Sequence, residues 1–533
     1  MGVVLSLIIG LSLILRGSYI TISPPELFGD EIDVGYQAYS LLKTGRDLYN
    51  QSFPTYIHSL SEWRMPLLMY FTVPTIAVFG NTEAGVRAPE IILGTLGIAL
   101  IFLLGYETTR SKLISLLAAF SLCLSPWHFQ YSRAAFEVVL LLDLLILGSL
   151  LFIKKRYLLS VIFFALTFYT YSTAIVFTPL LIISLIIFNK KIPGIKFILL
   201  LLLLLIPATY NLFYGKAAER FGTVSIINHP KILEKATEIR SSSLSPFEKF
   251  LTNRPLLTFR LALNNYLSAF SSEFLFTKGD PTIRHNTNFT GQLLPVMAFP
   301  LIVGLYQLAK KRQFIWLVWL ALAPVPASLT YDGAHHATRL FILLPPLAVA
   351  IGYGLSEFWQ TRRRLLLGIP ITMLVLFQFV QFANYYFYNY PKESWRWWHV
   401  GFKTALNQLA KVDSNYSRIF INNTYEPSLI RFLFYTKFAP ETFHRVFTID
   451  QPGIGVYPNY YGFFLPPKYY FGNFSFPPNK SLPDVLEAEN LYLISQRENA
   501  WGDWRKDPPG GVKVLFTSTN SYNDPILYLV TRP

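Results

Sequence analysis

Long apolar runs separated by short basic clusters set the pattern of this chain. A helix that crosses a bilayer needs about 20 apolar residues rising 1.5 Å each. On that measure the runs predict about eleven transmembrane helices, near 1–20, 89–106, 113–126, 137–153, 157–172, 174–188, 196–213, 292–309, 314–330, 340–358 and 365–384. The stretch 157–188 is continuously apolar, yet as one helix it would extend about 48 Å against a hydrocarbon layer of about 30 Å. It therefore predicts two helices folded back at the polar "YTYST" of 169–173. By contrast "PLLMYFTVPTIAVFG" (66–80) is short and carries Pro66 and Pro74, which predicts a helix lying in the membrane interface rather than crossing it.

After about residue 385 the pattern changes. "SRIFINN" (417–423), "NLYLIS" (490–495), "VKVLF" (512–516) and "ILYLV" (526–530) read as short strands. "WHVGFKTALNQLAKV" (398–412) reads as an amphipathic helix. Together they predict a small α/β domain over 391–533, following a transmembrane domain over 1–385. Within 214–291, "FRLALNNYLSAFSSEFLF" (259–276) alternates at near-helical spacing and predicts a helix along the membrane surface.

Composition assigns these elements to a class. The chain is 52% hydrophobic and only 14% charged, where a soluble domain carries roughly 25% charged residues. It reads as a polytopic α-helical membrane protein with a C-terminal extracytoplasmic α/β domain. The formal charge of +15 comes from basic residues in twos and threes between apolar runs, not from a basic stripe with interleaved aromatics, so no nucleic-acid partner is expected. Placing Arg110, Lys112, Lys154 to Arg156, Lys190, Lys191, Lys310 to Arg312 and Arg362 to Arg364 inside leaves only Arg133 and Arg339 on short outer connections. That asymmetry predicts a multi-pass protein of the cytoplasmic membrane. Its N-terminus, a retained signal anchor, lies inside, and the catalytic loop 21–88, the loop 214–291 and the C-terminal domain lie outside. Cys123 is the single cysteine, which excludes an intramolecular disulfide and a cysteine metal site.

Asp30 and Glu31, in "FGDEIDVGYQAYSLLKTGRDLY" (28–49), then face the exterior, where there is no nucleotide pool. Group transfer there must draw on an activated carrier that the membrane delivers, such as a polyprenyl-phosphate sugar. The phosphate is already a good leaving group, so the protein must supply a carboxylate to take the acceptor's proton and cations to offset phosphate charge. Asp30 is the candidate base, and Glu31 could hold Asp30 or a sugar hydroxyl; two acids at a helix exit also suit a cap or a solubilising loop. In "LSPWHFQYSRAAFE" (124–137), Arg133 and Glu137 stand four residues apart, as site groups or as a helix-end ion pair. Lys278, Arg284 and His285 in "TKGDPTIRHN", and His335, His336 and Arg339 in "YDGAHHATRLFILLPPL", stand at outer helix mouths. Each could be a snorkelling anchor. On the same face as the acids, they point to a charged site at the membrane boundary that binds a carrier phosphate. Adjacent histidines cannot easily share one tetrahedral ion, and neither HExxH nor a cysteine pair occurs, so neither a divalent metal nor another cofactor is indicated.

On these segments the chain resembles the integral-membrane glycosyltransferases of GT-C fold, specifically the bacterial relatives of dolichyl-phosphate-mannose protein mannosyltransferases and the lipid A aminoarabinose transferase. The resemblance covers roughly 1–385 and is carried by the acid-pair segment 28–49, "EWRMPLLMYF" (62–71), "NTEAGVRAPEIILGTLG" (81–97) with Arg87 as the family's arginine, "YSRAAFE" (131–137) and "HHATRLFILLPPLAVAIGYGL" (335–355). It implies Asp30 as general base, Glu31 and Glu137 shaping the sugar and acceptor site, and Arg339 gripping the carrier phosphate. Arg87 and Arg133 join the candidate carrier or substrate contacts. The chain departs from the family at Met65–Pro66, where many relatives have two prolines, and at Arg64, where some have an acid. Oligosaccharyltransferase catalytic subunits share the architecture, but their Trp-Trp-Asp motif is "WWH" (397–399) here.

The expected activity is transfer of a hexosyl or pentosyl group from a polyprenyl-phosphate donor to a lipid, protein or polysaccharide acceptor of the cell envelope, inverting the anomeric centre, with membrane lipids as the surrounding partners. A transporter or flippase of lipid-linked sugars is the alternative. Transporters place ionisable residues near the bilayer midplane, and Asp143 is the main such residue here.

Overall fold

Apolar runs become helices whose ends are set by local chemistry: α1 (Gly2–Gly17), α2 (Gly29–Thr44), α3 (Leu67–Phe79), α4 (Glu83–Thr109), α5 (Lys112–Cys123), α6 (Pro126–Tyr131), α7 (Val138–Ile153), α8 (Tyr157–Thr167), α9 (Thr173–Asn189) and α10 (Ile195–Phe213). The later apolar helices are Ala298–Lys310, Phe314–Leu322, Leu344–Gln360 and Ile369–Tyr388. The computed structural model describes residues 2–533 apart from 61, 191, 216–224, 243–244, 246–252, 361–363, 425–427, 448–454, 477–479 and 500–501. Lys191, Arg362 and Arg363 of the expected cytoplasmic clusters lie outside the described residues. Among those described, four helical segments are long and apolar enough to cross a membrane, Glu83–Thr109, Ile195–Phe213, Ala337–Trp359 and Leu365–Tyr388, and eight shorter apolar helices accompany them.

The apolar stretch 157–188 does divide, between Thr167 and Thr173, and the Thr167 and Thr178 hydroxyls share a hydrogen bond of 2.9 Å across the break. Helix α3 has 13 residues with Pro74 inside, a rise of about 20 Å that falls short of the hydrocarbon thickness. Helix α4 begins at Glu83, several residues before its apolar run, so Arg87 sits on a helix rather than in a loop.

The chain forms two compact units. The first joins Met1–Ser18, Met65–Leu68 and Glu90–Tyr386 and is helical. Small residues permit its closest packing. A Cβ on Gly304 would lie 1.7 Å from the Ala350 carbonyl oxygen, and one on Gly354 would lie 1.8 Å from that of Pro300. Helices Ala298–Lys310 and Leu344–Gln360 therefore meet backbone to backbone, the approach that glycine makes possible in membrane helices.

The second unit joins Tyr19–Arg64, Met69–Pro89 and Phe387–Pro533. The segments Tyr19–Arg64 and Met69–Pro89 and the C-terminal segment, read separately from the sequence, thus belong to one body. Its core is a seven-stranded mixed sheet. In chain order the strands are β3 (Arg418–Asn422), β4 (Gly455–Tyr457), β5 (Tyr460–Leu465), β6 (Tyr469–Phe474), β7 (Asn490–Ser495), β8 (Lys513–Thr519) and β9 (Pro525–Thr531), after a small hairpin β1 (Ile57–Ser59) and β2 (Glu62–Arg64). The spatial order is β4-β5-β6-β3-β7-β9-β8. Only the central pairs β6–β3 and β3–β7 are parallel, and β7 is buried along its whole length, as parallel strands covered on both faces are. Phe420, Tyr460, Tyr492, Trp504 and Tyr528 fill one face. On the other, Phe432 of helix Ser428–Tyr435 packs its ring 4.6 Å from that of Tyr469 and 5.3 Å from that of Phe471.

Helix α2 is fastened to this body. A Cβ on Gly35 would lie 2.6 Å from Val86 and 2.7 Å from Phe434, the Tyr36 hydroxyl donates to the Phe438 carbonyl at 2.9 Å, and Arg431 donates to the Leu27 carbonyl at 3.2 Å. The C-terminal segment thereby fixes the helix that carries the acid pair.

Candidate active site

Asp30 and Glu31 occupy the first turn of α2, where the helix dipole favours negative charge. Adjacent helical residues point in directions about 100° apart, and the two acids have different fates. Glu31 is fully buried, and its two oxygens take hydrogen bonds of 2.9 Å from Nε and Nη2 of Arg87. Glu31 Oε2 also caps the helix by accepting from the Phe28 amide at 3.4 Å. Asp30 keeps 48% of its side chain exposed while accepting from Arg64 Nη2 at 2.6 Å.

Arg87 is saturated. Besides Glu31, it donates from Nη1 to the carbonyls of Ile20 and Pro24, both at 2.8 Å, and from Nη2 to that of Glu26 at 3.0 Å. A guanidinium has five N–H groups, and these contacts use all five on protein acceptors. The geometry gives Arg87 the role of fastening the 20–31 segment to α4, with no donor left for a phosphate. Arg133 is equally buried and donates to the carbonyls of Leu15, Arg16 and Ser18 at 2.6 to 2.7 Å, closing the C-terminal end of α1 as cations do. Arg87 is thus taken up by protein acceptors, and the Nη1 and Nη2 groups of Arg133 are bound to the end of α1.

The second unit holds two further acids that the sequence reading passed over. Asp33, one turn after Asp30, is buried and lies 3.3 Å from Arg64 Nε. Burial pushes its carboxyl up to about 6, against the pull of Arg64. Glu26 accepts from the amides of Gly401 at 2.9 Å and Lys403 at 3.2 Å, and burial raises it to about 7. Spacing offered one signal for Asp33, since positions 30 and 33 share a helix face; nothing local marked Glu26.

In the helical unit, part of the expected cationic set comes together. The Tyr131 hydroxyl bridges His285 Nδ1 at 3.0 Å and the Thr338 hydroxyl at 2.8 Å, and the His285 and His336 rings are 5.9 Å apart. Asp280 accepts from the Ala337 amide at 2.8 Å and is raised by burial to about 6. Burial and the nearby Arg339 charge hold His336 down to about 4, so it is neutral at physiological pH. Arg339 donates to the Thr330 hydroxyl at 2.8 Å and to Asp332 at 2.5 Å. The Arg284 carbonyl accepts from Gln130 at 2.8 Å. Two residues turn elsewhere. His335 meets the Ser271 hydroxyl at 3.1 Å and stacks on Phe274, and Lys278 pairs with Glu273 at 2.7 Å on the surface. Glu137 is half-buried just before α7 and adds its charge to the field around Glu90. Glu90 and Asp143 are buried, and their carboxylates have no hydrogen-bond partner among the described residues.

A family model described as dolichyl-phosphate-mannose-protein mannosyltransferase matches residues 64–214, and no curated protein sequence matches. The crystal structure of ArnT from Cupriavidus metallidurans bound to undecaprenyl phosphate superposes with a TM-score of 0.51 at 10% identity, over 98% of this chain and 97% of that one. The chain has the GT-C fold. Archaeal oligosaccharyltransferase AglB from Archaeoglobus fulgidus, solved with an inhibitory peptide and a dolichol-phosphate, aligns with a TM-score of 0.49 at 12% identity over 81% of this chain. The chain spans 63% of the length of that oligosaccharyltransferase. In this GT-C chain the acid pair of α2 divides its labour, one member built into the scaffold and the other left at the surface.

Proposed function

We propose that this chain is a glycosyltransferase that moves a sugar from a polyprenyl-phosphate carrier to an acceptor at the outer face of the cytoplasmic membrane. The observation that carries the reading is the asymmetry of the acid pair: Glu31 is consumed by Arg87, whereas Asp30 is half exposed on a helix held rigidly at its first turn. In the reaction the acceptor's hydroxyl or amine loses its proton to Asp30 as its oxygen or nitrogen bonds to the anomeric carbon. The bond from that carbon to the phosphate oxygen breaks, the polyprenyl phosphate leaves with the electron pair, and the single displacement inverts the centre. Arg339 is the candidate partner of the carrier phosphate, with His285 and Arg284 in the same unit as further donors.

The test is transfer by purified protein in detergent, using a short-chain polyprenyl-phosphate sugar and a panel of lipid, peptide and glycan acceptors, with Asp30→Asn beside the wild type. Carrier binding that persists while transfer disappears in the variant supports the assignment; full transfer by the variant overturns it. Glu90 and Asp143, buried in the helical unit, favour a second reading, a transporter of lipid-linked sugars. Carrier translocation in proteoliposomes without any transfer would select it.

A further inference from the structure

Arg339, the candidate partner of the carrier phosphate, already holds an anion. Its Nη1 lies 2.5 Å from Asp332 Oδ1 and its Nη2 3.4 Å from Oδ2, the two-nitrogen, two-oxygen fork by which a guanidinium also grips phosphate. Nη1 donates at the same time to the Thr330 hydroxyl at 2.8 Å. These partners differ in freedom. Thr330 is fixed, because its hydroxyl and its amide both donate to the Ala327 carbonyl, at 2.7 Å and 3.0 Å, and its own carbonyl accepts from Asn265 Nδ2 at 2.8 Å. The turn that follows is tight: a Cβ on Gly333 would lie 1.9 Å from the Ala327 carbonyl oxygen, and the Tyr331 ring stacks on His229 with centroids 3.9 Å apart. Within this turn the Asp332 side chain is 60% exposed, whereas that of Arg339 is 13% exposed. A rigid backbone thus presents a carboxylate that can swing away from the arginine as surface side chains do. An exposed ion pair contributes little, so an arriving phosphate displaces it readily.

Partial burial pushes the Asp332 carboxyl up, but the hydrogen bond and charge of Arg339 outweigh it and hold the group below the ordinary carboxylate range. It therefore stays charged at neutral pH and repels any phosphate that reaches Arg339. That repulsion grows with the charge on the phosphate. A sugar-bearing carrier is a phosphodiester with one negative charge, whereas the carrier that leaves is a monoester with close to two.

We propose that Asp332 stands in for the phosphate on Arg339 and sets a preference for the diester donor over the monoester product, so that the spent carrier is released. Asp332 acts through Arg339, as a positioning residue, and makes no bond to the carrier. This rests on Arg339 as the carrier-phosphate partner in the proposed transfer. It adds a reason why the product, the more highly charged of the two lipids, does not stay on the arginine.

The experiment is equilibrium binding to the full-length protein in detergent, at about pH 8, above the second phosphate ionisation near 6, and at low salt, where surface charges are least screened. The probes are a short-chain prenyl phosphate, as the monoester, and its hexosyl phosphodiester. Binding needs no turnover, so a wild type that fails to transfer sugar sinks the proposed function and leaves this test intact. Asp332→Asn removes the charge and keeps a residue suited to the turn. Its Kd for the diester should fall by about two- to fivefold, and its Kd for the monoester by a larger factor. Equal gains for the two probes, no gain, or weaker binding overturns the inference. Asp332→Glu restores the charge and should return the preference between the probes towards that of the wild type, which a purely structural role would not do; a Glu variant that behaves like the Asn variant overturns the inference as well. Arg339→Gln separates the two readings. Affinity that holds for both probes in that variant removes Arg339 from the phosphate and this inference with it, whereas a loss there beside an unchanged Asp332→Asn overturns this inference alone.

Discussion

Arg87 holds both carboxylate oxygens of Glu31 at 2.9 Å, and neither side chain retains any exposure to solvent. Breaking a buried pair by removing one partner costs about 3–5 kcal/mol, since the remaining charge is stranded. Arg87→Met and Glu31→Gln should therefore lower the melting temperature and the yield of folded protein from detergent. Measured per folded molecule, transfer should suffer less than stability does, and a stable, inactive Glu31→Gln would move Glu31 back into the reaction.

Asp30→Asn should behave in the opposite way. Loss of a positioned general base costs about 10²- to 10⁴-fold in rate, while a half-exposed ion pair contributes about 1 kcal/mol or less. Thermal melting alongside initial rates separates the two effects.

Removing Arg339 should weaken the carrier more than the chemistry. A hydrogen bond to a charged group is worth about 1.5–3 kcal/mol, so Arg339→Gln is expected to raise the carrier KM by roughly 10- to 100-fold. A purely catalytic defect with unaltered carrier affinity would remove Arg339 from the phosphate.

Glu26 gives a pH dependence of stability with a definite sign. Burial raises its carboxyl to about 7, from an ordinary value of 4.5. The folded state therefore binds the proton more tightly than the unfolded state. Its contribution is fully present below about pH 4.5 and is lost as pH rises through about 7, at most about 1.4 kcal/mol for each unit crossed. Glu26→Gln should flatten that segment of the stability profile. A wild-type and variant difference that stays constant with pH would show that Glu26 does not titrate there.

The helical runs were legible because a continuous apolar stretch of membrane length has few other solutions. Even the break within 157–188 could be read, since one helix of that length overshoots the bilayer. Of the sheet, β3, β7, β8 and β9 were visible as short strands, but β4, β5 and β6 were not. The segment 455–474 mixes tyrosines and phenylalanines with Gly462, Gly472 and the Pro466–Pro467 turn. Its aromatics face both sides and leave no period-two contrast to detect. At the site, residue type singled out Asp30 and Glu31, but the difference between them could not be read, because it depends on Arg64 and Arg87, which lie 34 and 56 positions away. The same holds for Arg133, whose carbonyl partners at the end of α1 lie 115 to 118 positions away.

The Gly304 and Gly354 contacts constrain how this protein can move. With carbonyl oxygens seated where side chains would otherwise begin, helices Ala298–Lys310 and Leu344–Gln360 have no lubricating layer between them and must travel as one rod. Any opening that admits a bulky lipid tail to the helical unit must therefore hinge at other seams, and cysteine crosslinks along this pair would leave catalytic turnover untouched.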